Sequence, residues 1–144
     1  MCYRGTIKKH FKGENIMRKS FLAMILAALL LLSGCGKVSG VKETIGPSAI
    51  YSESEIQSAM NVVKRQFSAG FEGCVLLELW YDEEVSLREA DEWAEQYGAK
   101  EAIVLLSDFY VTKNPTFSSN TTMKNWSWVL VRNNGGWGLK TSGY

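Results

Sequence analysis

Two acidic side chains set in apolar runs hold the chain's sharpest chemical possibility. Glu78 lies within Cys74–Tyr81 (CVLLELWY), and Asp108 lies within residues 102–111 (AIVLLSDFYV). Strand alternation puts Glu78 on a face with Cys74, Leu76 and Trp80, and Asp108 on a face with Val104, Leu106 and Tyr110. A carboxylate on an apolar face is costly unless it is paired or protonated. If both face one concavity, a general base with Tyr110 beside it is conceivable. Otherwise they occupy an exposed sheet face, or pair with a cation such as Arg132 or Lys140. Asp82-Glu83-Glu84 offers oxygen ligands to Ca²⁺, though in no EF-hand spacing, or complements the dipole of a helix that follows. Trp126 and Trp128 share one strand face. Exposed, they would suit a glycan ring or a protein hot spot; buried, they are cross-strand core.

The missing residues narrow the chemistry. No histidine follows His10, which removes Ser-His and Cys-His nucleophile pairs and the commonest transition-metal ligand. No phosphate-loop, nucleophile-elbow or zinc-helix motif occurs, so no cofactor and no metal is expected. Cys2, Cys35 and Cys74 are the only cysteines. Cys74, in Gly73-Cys74-Val75-Leu76-Leu77, reads as a small buried hydrophobe.

Cys35 is different. Met17-Arg18-Lys19-Ser20 is a short basic segment, and Phe21 through Leu32 is an uncharged apolar run of 12 residues. That length suits a signal peptide and falls short of the roughly 20 residues a spanning helix needs. The run ends in Leu32-Ser33-Gly34-Cys35. This resembles the lipobox of bacterial lipoprotein precursors: an aliphatic residue, two small residues that admit the backbone to the peptidase, and the cysteine that is modified. The resemblance implies cleavage before Cys35, with Leu32, Ser33 and Gly34 recognised by the signal peptidase. It also implies a diacylglyceryl and palmitate-type anchor on the sulfur, and an extracytoplasmic position on the cell membrane. Two acyl chains anchor stably where one is marginal.

Residues 1–16 (MCYRGTIKKHFKGENI) fit no part of this scheme. Lys12-Gly13-Glu14 can be encoded by a purine-rich ribosome-binding sequence a short spacer before the Met17 codon. Residues 1–16 are therefore expected to be over-called leader, with translation starting at Met17; a long basic segment from Met1 is the alternative.

Cleavage leaves 110 residues with 10 Lys+Arg and 14 Asp+Glu, a net charge near −4, against +1 for the whole 144-residue chain. A mildly acidic exported domain has no electrostatic case for nucleic acid, so no nucleic-acid partner is expected. Cys74 is left without a partner, so no intrachain disulfide forms.

The elements that would position these residues follow from pattern. Residues 35–50, the lipidated cysteine and a Gly-Ser-Lys segment, read as a flexible tether, and 51–144 as the globular domain. Ser52 with Glu55 forms a capping box, and Ile56, Met60, Val63 and Phe67 follow as one apolar stripe, stopped by Gly70. Cys74–Tyr81 is a strand. Ser86 with Glu89 reads as a second capping box, before a short helix with Leu87, Ala90, Ala94 and Tyr97 on one face and Gly98 at its close. Residues 102–111 form a strand and 112–124 a loop. Trp126–Arg132 and Trp137 to about Thr141 form strands joined by the Asn133-Asn134-Gly135-Gly136 turn.

The expected fold is α+β: a long N-terminal helix packed on a curved, mostly antiparallel four-stranded sheet, with a second short helix. Through the leading helix and the terminal Trp126-x-Trp128-x-Leu130-Val131-Arg132…Gly135-Gly136-Trp137-x-Leu139-Lys140 hairpin, it is similar to cystatin-like folds, including the nuclear-transport-factor-like group. It also resembles small uncharacterised lipoproteins of Gram-positive bacteria, through the lipobox, Leu79-Trp80-Tyr81-Asp82-Glu83 and the closing Trp137…Gly143-Tyr144. The expected role is a non-enzymatic binding or interaction domain at the cell envelope, its partner an envelope protein or glycan. The alternative is a carboxylate-based enzyme or small-ligand carrier with a pocket near Glu78, Asp108 and Tyr110.

Overall fold

The computed structural model describes residues 35–144, which form one compact unit. The expected leader (1–16), the expected signal peptide (17–34) and the expected peptidase-recognition residues Leu32, Ser33 and Gly34 lie outside the described residues.

The elements run β1 (Lys42–Ile45), α1 (Glu53–Gly70), β2 (Cys74–Tyr81), α2 (Glu83–Gln96), β3 (Glu101–Val111), β4 (Thr121–Arg132) and β5 (Gly138–Gly143). The strands form one mixed sheet in the order β1-β2-β3-β4-β5. β1 is parallel to β2 and every other pair is antiparallel.

This overturns the expected four-stranded sheet on a long leading helix. The sheet has five strands, the first of them precedes α1, and the helices are only 18 and 14 residues long. The added strand comes from the supposed tether. Lys42–Ile45 pairs with Glu78–Tyr81, and Lys37 bridges to Val75. A four-residue segment rich in Lys, Glu and Thr shows no burial signal of its own; the exposed edge of β2 templates it. A parallel pair needs a crossover, and α1 supplies it.

The α1 capping box is present as expected: Ser52 Oγ accepts from Glu55 N–H, and Glu55 accepts from Ser52 N–H at 2.9 Å. Ile56, Met60, Val63 and Phe67 are at most 1% exposed. Each such side chain contributes roughly 1.5–3 kcal/mol relative to staying in water. They pack on the sheet face carrying Cys74, Leu76, Leu79, Tyr81, Ile103, Leu105, Phe109, Trp128 and Leu130.

The second helix starts earlier than Ser86. Asp82 is its N-cap, accepting from Val85 N–H at 3.1 Å. Ser86 is fully buried, and its Oγ accepts from Val104 N–H at 3.1 Å. Val104 lies one residue beyond the last β2–β3 pair, Tyr81–Leu105, so a helix hydroxyl takes over where the ladder stops. α2 covers the other sheet face at Ala102 and Val131 through Ala90, Trp93, Ala94 and Tyr97, while Leu87 stays 47% exposed.

β4 begins at Thr121 rather than Trp126, because β3 is long enough for Val111, Tyr110 and Phe109 to pair with Thr121, Thr122 and Met123. Polar residues there read as loop, but the open sheet face tolerates them.

Candidate functional site

Cys35 is exposed, while the residue after it is already locked to the body. Gly36 N–H donates to Ser68 O at 3.0 Å, Lys37 N–H donates to Cys74 O at 2.9 Å, and Lys37 O accepts from Leu76 N–H at 2.8 Å. Gly36 is buried so tightly that a Cβ there would lie 2.5 Å from Phe67 O and 2.9 Å from Phe71 O. Glycine is required at this crossing for closeness, not for flexibility.

The structure brings Glu78 and Asp108 together as direct cross-strand partners, with Tyr110 one step along on the same face, opposite Val75. It does so through a β-bulge. The register shifts between Leu76 and Glu78, so the expected face shared by Glu78, Cys74 and Leu76 does not exist. Cys74 and Leu76 point into the core, at 1% exposure each, and Glu78 and Trp80 point to the opposite face. Where Glu78 stands that face carries an open depression of about 280 Å³ lined by Lys42, Thr44, Glu78 and Trp80.

Each carboxylate there has a structural partner. Glu78 Oε1 accepts from Lys42 Nζ at 2.7 Å, not from Arg132 or Lys140. Asp108 Oδ1 accepts from Asn125 N–H at 2.9 Å. Asn125 sits in a second bulge, opposite Asp108, with φ +54°. The carboxylate thus satisfies an amide that the bulge removes from the ladder. Tyr110 Oη donates to Asn120 Oδ1 at 3.2 Å. The three groups share a face, but neither Asp108 nor Tyr110 lines the depression at Glu78.

Trp126 and Trp128 do share a face, and that face is the core. Trp128 is fully buried, donating Nε1–H to Ser107 Oγ at 2.8 Å. Trp126 is partly buried among Phe71, Phe109, Phe117 and Tyr144. They do not form an exposed aromatic pair. Asp82 caps α2, and Glu83 accepts from Ala49 N–H at 2.9 and 3.1 Å. Among the described residues, no cluster of three His, Cys, Asp or Glu is placed to hold a metal ion. Burial raises the pKa of the Cys74 thiol, which keeps it protonated and unreactive.

The most strongly coupled charges form a group that sequence reasoning did not assemble. Arg132 donates Nε–H and Nη2–H to the two Glu101 oxygens at 2.8 and 3.1 Å, and Nη2–H also to Glu55. Its guanidinium lies 4.2 Å from the Trp137 ring centroid, and Trp137 Nε1–H donates to Glu55 O at 3.1 Å. The Arg132 hydrogen bond, then those from Ser52, lower the Glu55 pKa to about 2. The Glu101 and Glu55 bonds raise that of Arg132. Both groups stay charged near neutrality, so the cluster clasps the start of α1 to the sheet and moves no proton. Only the Ser52–Glu55 spacing was visible in advance; the partners lie 46 and 77 residues away from Glu55 along the chain.

A groove of about 710 Å³ runs between the β1 approach and α1, lined by Val38, Val41, Glu43, Lys64, Arg65 and Ser68 among others. Burial would raise the Glu43 pKa, but hydrogen bonds from Lys64 at 2.7 Å and Gln57 at 2.6 Å hold it below the usual value.

No family model, no curated protein and no solved structure matches the chain.

Proposed function

We propose that the chain is the precursor of an exported bacterial lipoprotein, anchored through lipid on Cys35, whose folded body is a non-enzymatic binding or interaction module at the cell envelope. The observation that carries this is Leu32-Ser33-Gly34-Cys35 closing a 12-residue apolar run behind Arg18-Lys19. An exposed Cys35 is consistent with it, since the sulfur must reach a lipid donor. Among the described residues no helix is long and apolar enough to cross a membrane; in this reading the acyl chains provide the attachment. The interaction role is supported by side chains unsuited to catalysis: Glu78 and Asp108 are paired on an open face, and Glu55 and Arg132 are held charged. The alternative, a carboxylate-based enzyme or small-ligand carrier, would need Glu78, Asp108 and Tyr110 to share a pocket; the depression at Glu78 is lined instead by Lys42, Thr44 and Trp80. The partner would be an envelope protein or glycan, and recovery of a defined component with the tagged chain from solubilised envelope tests that half of the reading.

The anchor is tested by expressing the wild type and Cys35→Ser in bacteria fed an alkyne-tagged fatty acid. The wild type takes up the label and stays with membranes through a carbonate wash; Cys35→Ser does neither. Cys35→Ser protein that still matures and still resists the wash overturns the proposal.

A further inference from the structure

We infer that the end of the domain around Cys35 is a bilayer-docking face that lies against anionic lipid headgroups, an inference that rests on the lipidation of Cys35. The first argument is length. Residues 36 and 37 are bonded to Ser68, Cys74 and Leu76, so one residue, Cys35, separates the thioether from the folded body. Consecutive Cα atoms are about 3.8 Å apart. The headgroup zone on each side of the hydrocarbon core is only about 5–7 Å deep. A sulfur whose acyl chains lie in that core cannot hold the body clear of the headgroups on so short a link.

The second argument is charge. The elements at this end are the 35–38 segment, the last turn of α1 with the 71–73 loop, and the 112–117 loop. Gly73 O ties the last two together by accepting from Thr112 N–H at 2.8 Å and Lys113 N–H at 3.3 Å. They expose Lys37 and Lys113 against one acid, Glu72, and Arg65, in the turn of α1 before its last, lines a groove with Val38. The domain as a whole is acidic, and six of its carboxylates lie on α2, which covers Ala102 and Val131 at the other end of the sheet. An acidic protein whose anchor end carries exposed cations in excess over its one acid, while six carboxylates lie on a helix at the other end, is oriented by a negative surface rather than repelled from it.

The third argument is the aromatic content of the same end. Phe71, whose carbonyl abuts Gly36, stacks on Phe67 at 4.8 Å and on Phe117 at 5.9 Å, and both Phe71 and Phe117 keep part of their surface exposed. Partly exposed Phe rings beside cations are the pairing found on protein surfaces that lie in the headgroup–acyl boundary.

The test uses the full lipidated chain, reconstituted into phosphatidylcholine vesicles with and without phosphatidylglycerol and a headgroup-nitroxide lipid. Thr116→Cys, at the docking end, and Asn134→Cys, in the β4–β5 turn at the other, each receive an environment-sensitive fluorophore; Cys74 is buried and Cys35 is capped by lipid. Severalfold stronger nitroxide quenching at 116 than at 134 is expected. That contrast should fall when a Gly-Ser spacer is inserted between Cys35 and Gly36, and again when Lys37, Arg65 and Lys113 are changed together to Gln in phosphatidylglycerol vesicles. Intact mass decides which idea fails. A lipidated chain with equal quenching at the two positions overturns the docking face alone, whereas an unmodified Cys35 overturns the anchor and the docking face with it.

Discussion

Tyr51 and Tyr81 are buried neighbours, at 8% and 2% exposure, with rings packed edge-on at 6.3 Å. Their hydroxyls differ in one respect. Tyr51 Oη donates to Ala102 O at 2.9 Å, whereas Tyr81 Oη is buried with no hydrogen-bond partner among the described residues. Changing either to Phe removes the same atom from the same core. At Tyr51 the change forfeits a hydrogen bond, at a net cost of about 1 kcal/mol. At Tyr81 it forfeits none and relieves a buried, unsatisfied group, so the effect runs from zero to a gain of about 1 kcal/mol. For a folded body of this size, an unfolding entropy of about 2 cal/mol/K per residue makes 1 kcal/mol equal to roughly 4 °C. Thermal melts by circular dichroism should therefore place Tyr51→Phe about 4 °C below the wild type, and Tyr81→Phe level with it or up to about 4 °C above. Burial, then the nearby Glu101 carboxylate, also push the Tyr51 pKa up to about 12. The unfolded chain then ionises first, so the stability linked to Tyr51 is complete below about pH 10 and is lost as pH rises towards 12. Tyr51→Phe should flatten that alkaline decline. An equal drop in melting temperature for both variants would refute the reasoning, because it would mean that the Tyr81 hydroxyl has a partner such as a buried water.

Three further outcomes follow from the same contacts. The depressed Glu55 pKa means that stability linked to this carboxylate is present above its unfolded value of 4.5 and is lost as pH falls towards 2, so Glu55→Gln should shallow the acid limb of a pH–stability curve. Gly73→Ala should cost about 3 kcal/mol or more in urea unfolding, because φ is +69° and the new Cβ would lie 1.8 Å from Lys113 O. Glu78→Gln with Asp108→Asn should change urea stability by less than about 1 kcal/mol, since the Lys42–Glu78 pair is exposed.

Several local features could be read from the chain in advance: the Ser52–Glu55 capping box, the Ile56–Met60–Val63–Phe67 stripe, the strands at Cys74–Tyr81 and 102–111, and the Asn133–Gly136 turn. Each depends on neighbours within a few residues, through side-chain-to-backbone bonding or the helical and strand periods. The proposed Leu32-Ser33-Gly34-Cys35 recognition motif would belong to the same class, because a peptidase would read it as a local string.

Only the tertiary structure decided the features that depend on distant partners. Lys42–Ile45 is a strand because β2 offers it an edge, not because its own residues require one. Ser86 serves Val104 rather than a helix start, because β2 ends one residue too soon. A single bulged residue, Leu77, moved Glu78 off the core face and beside Asp108 and Lys42, which turned a suspected buried base into an exposed ion pair. Trp128 is core and not surface for a related reason: alternation along a strand specifies two faces, and only packing against α1 determines which of them is inside.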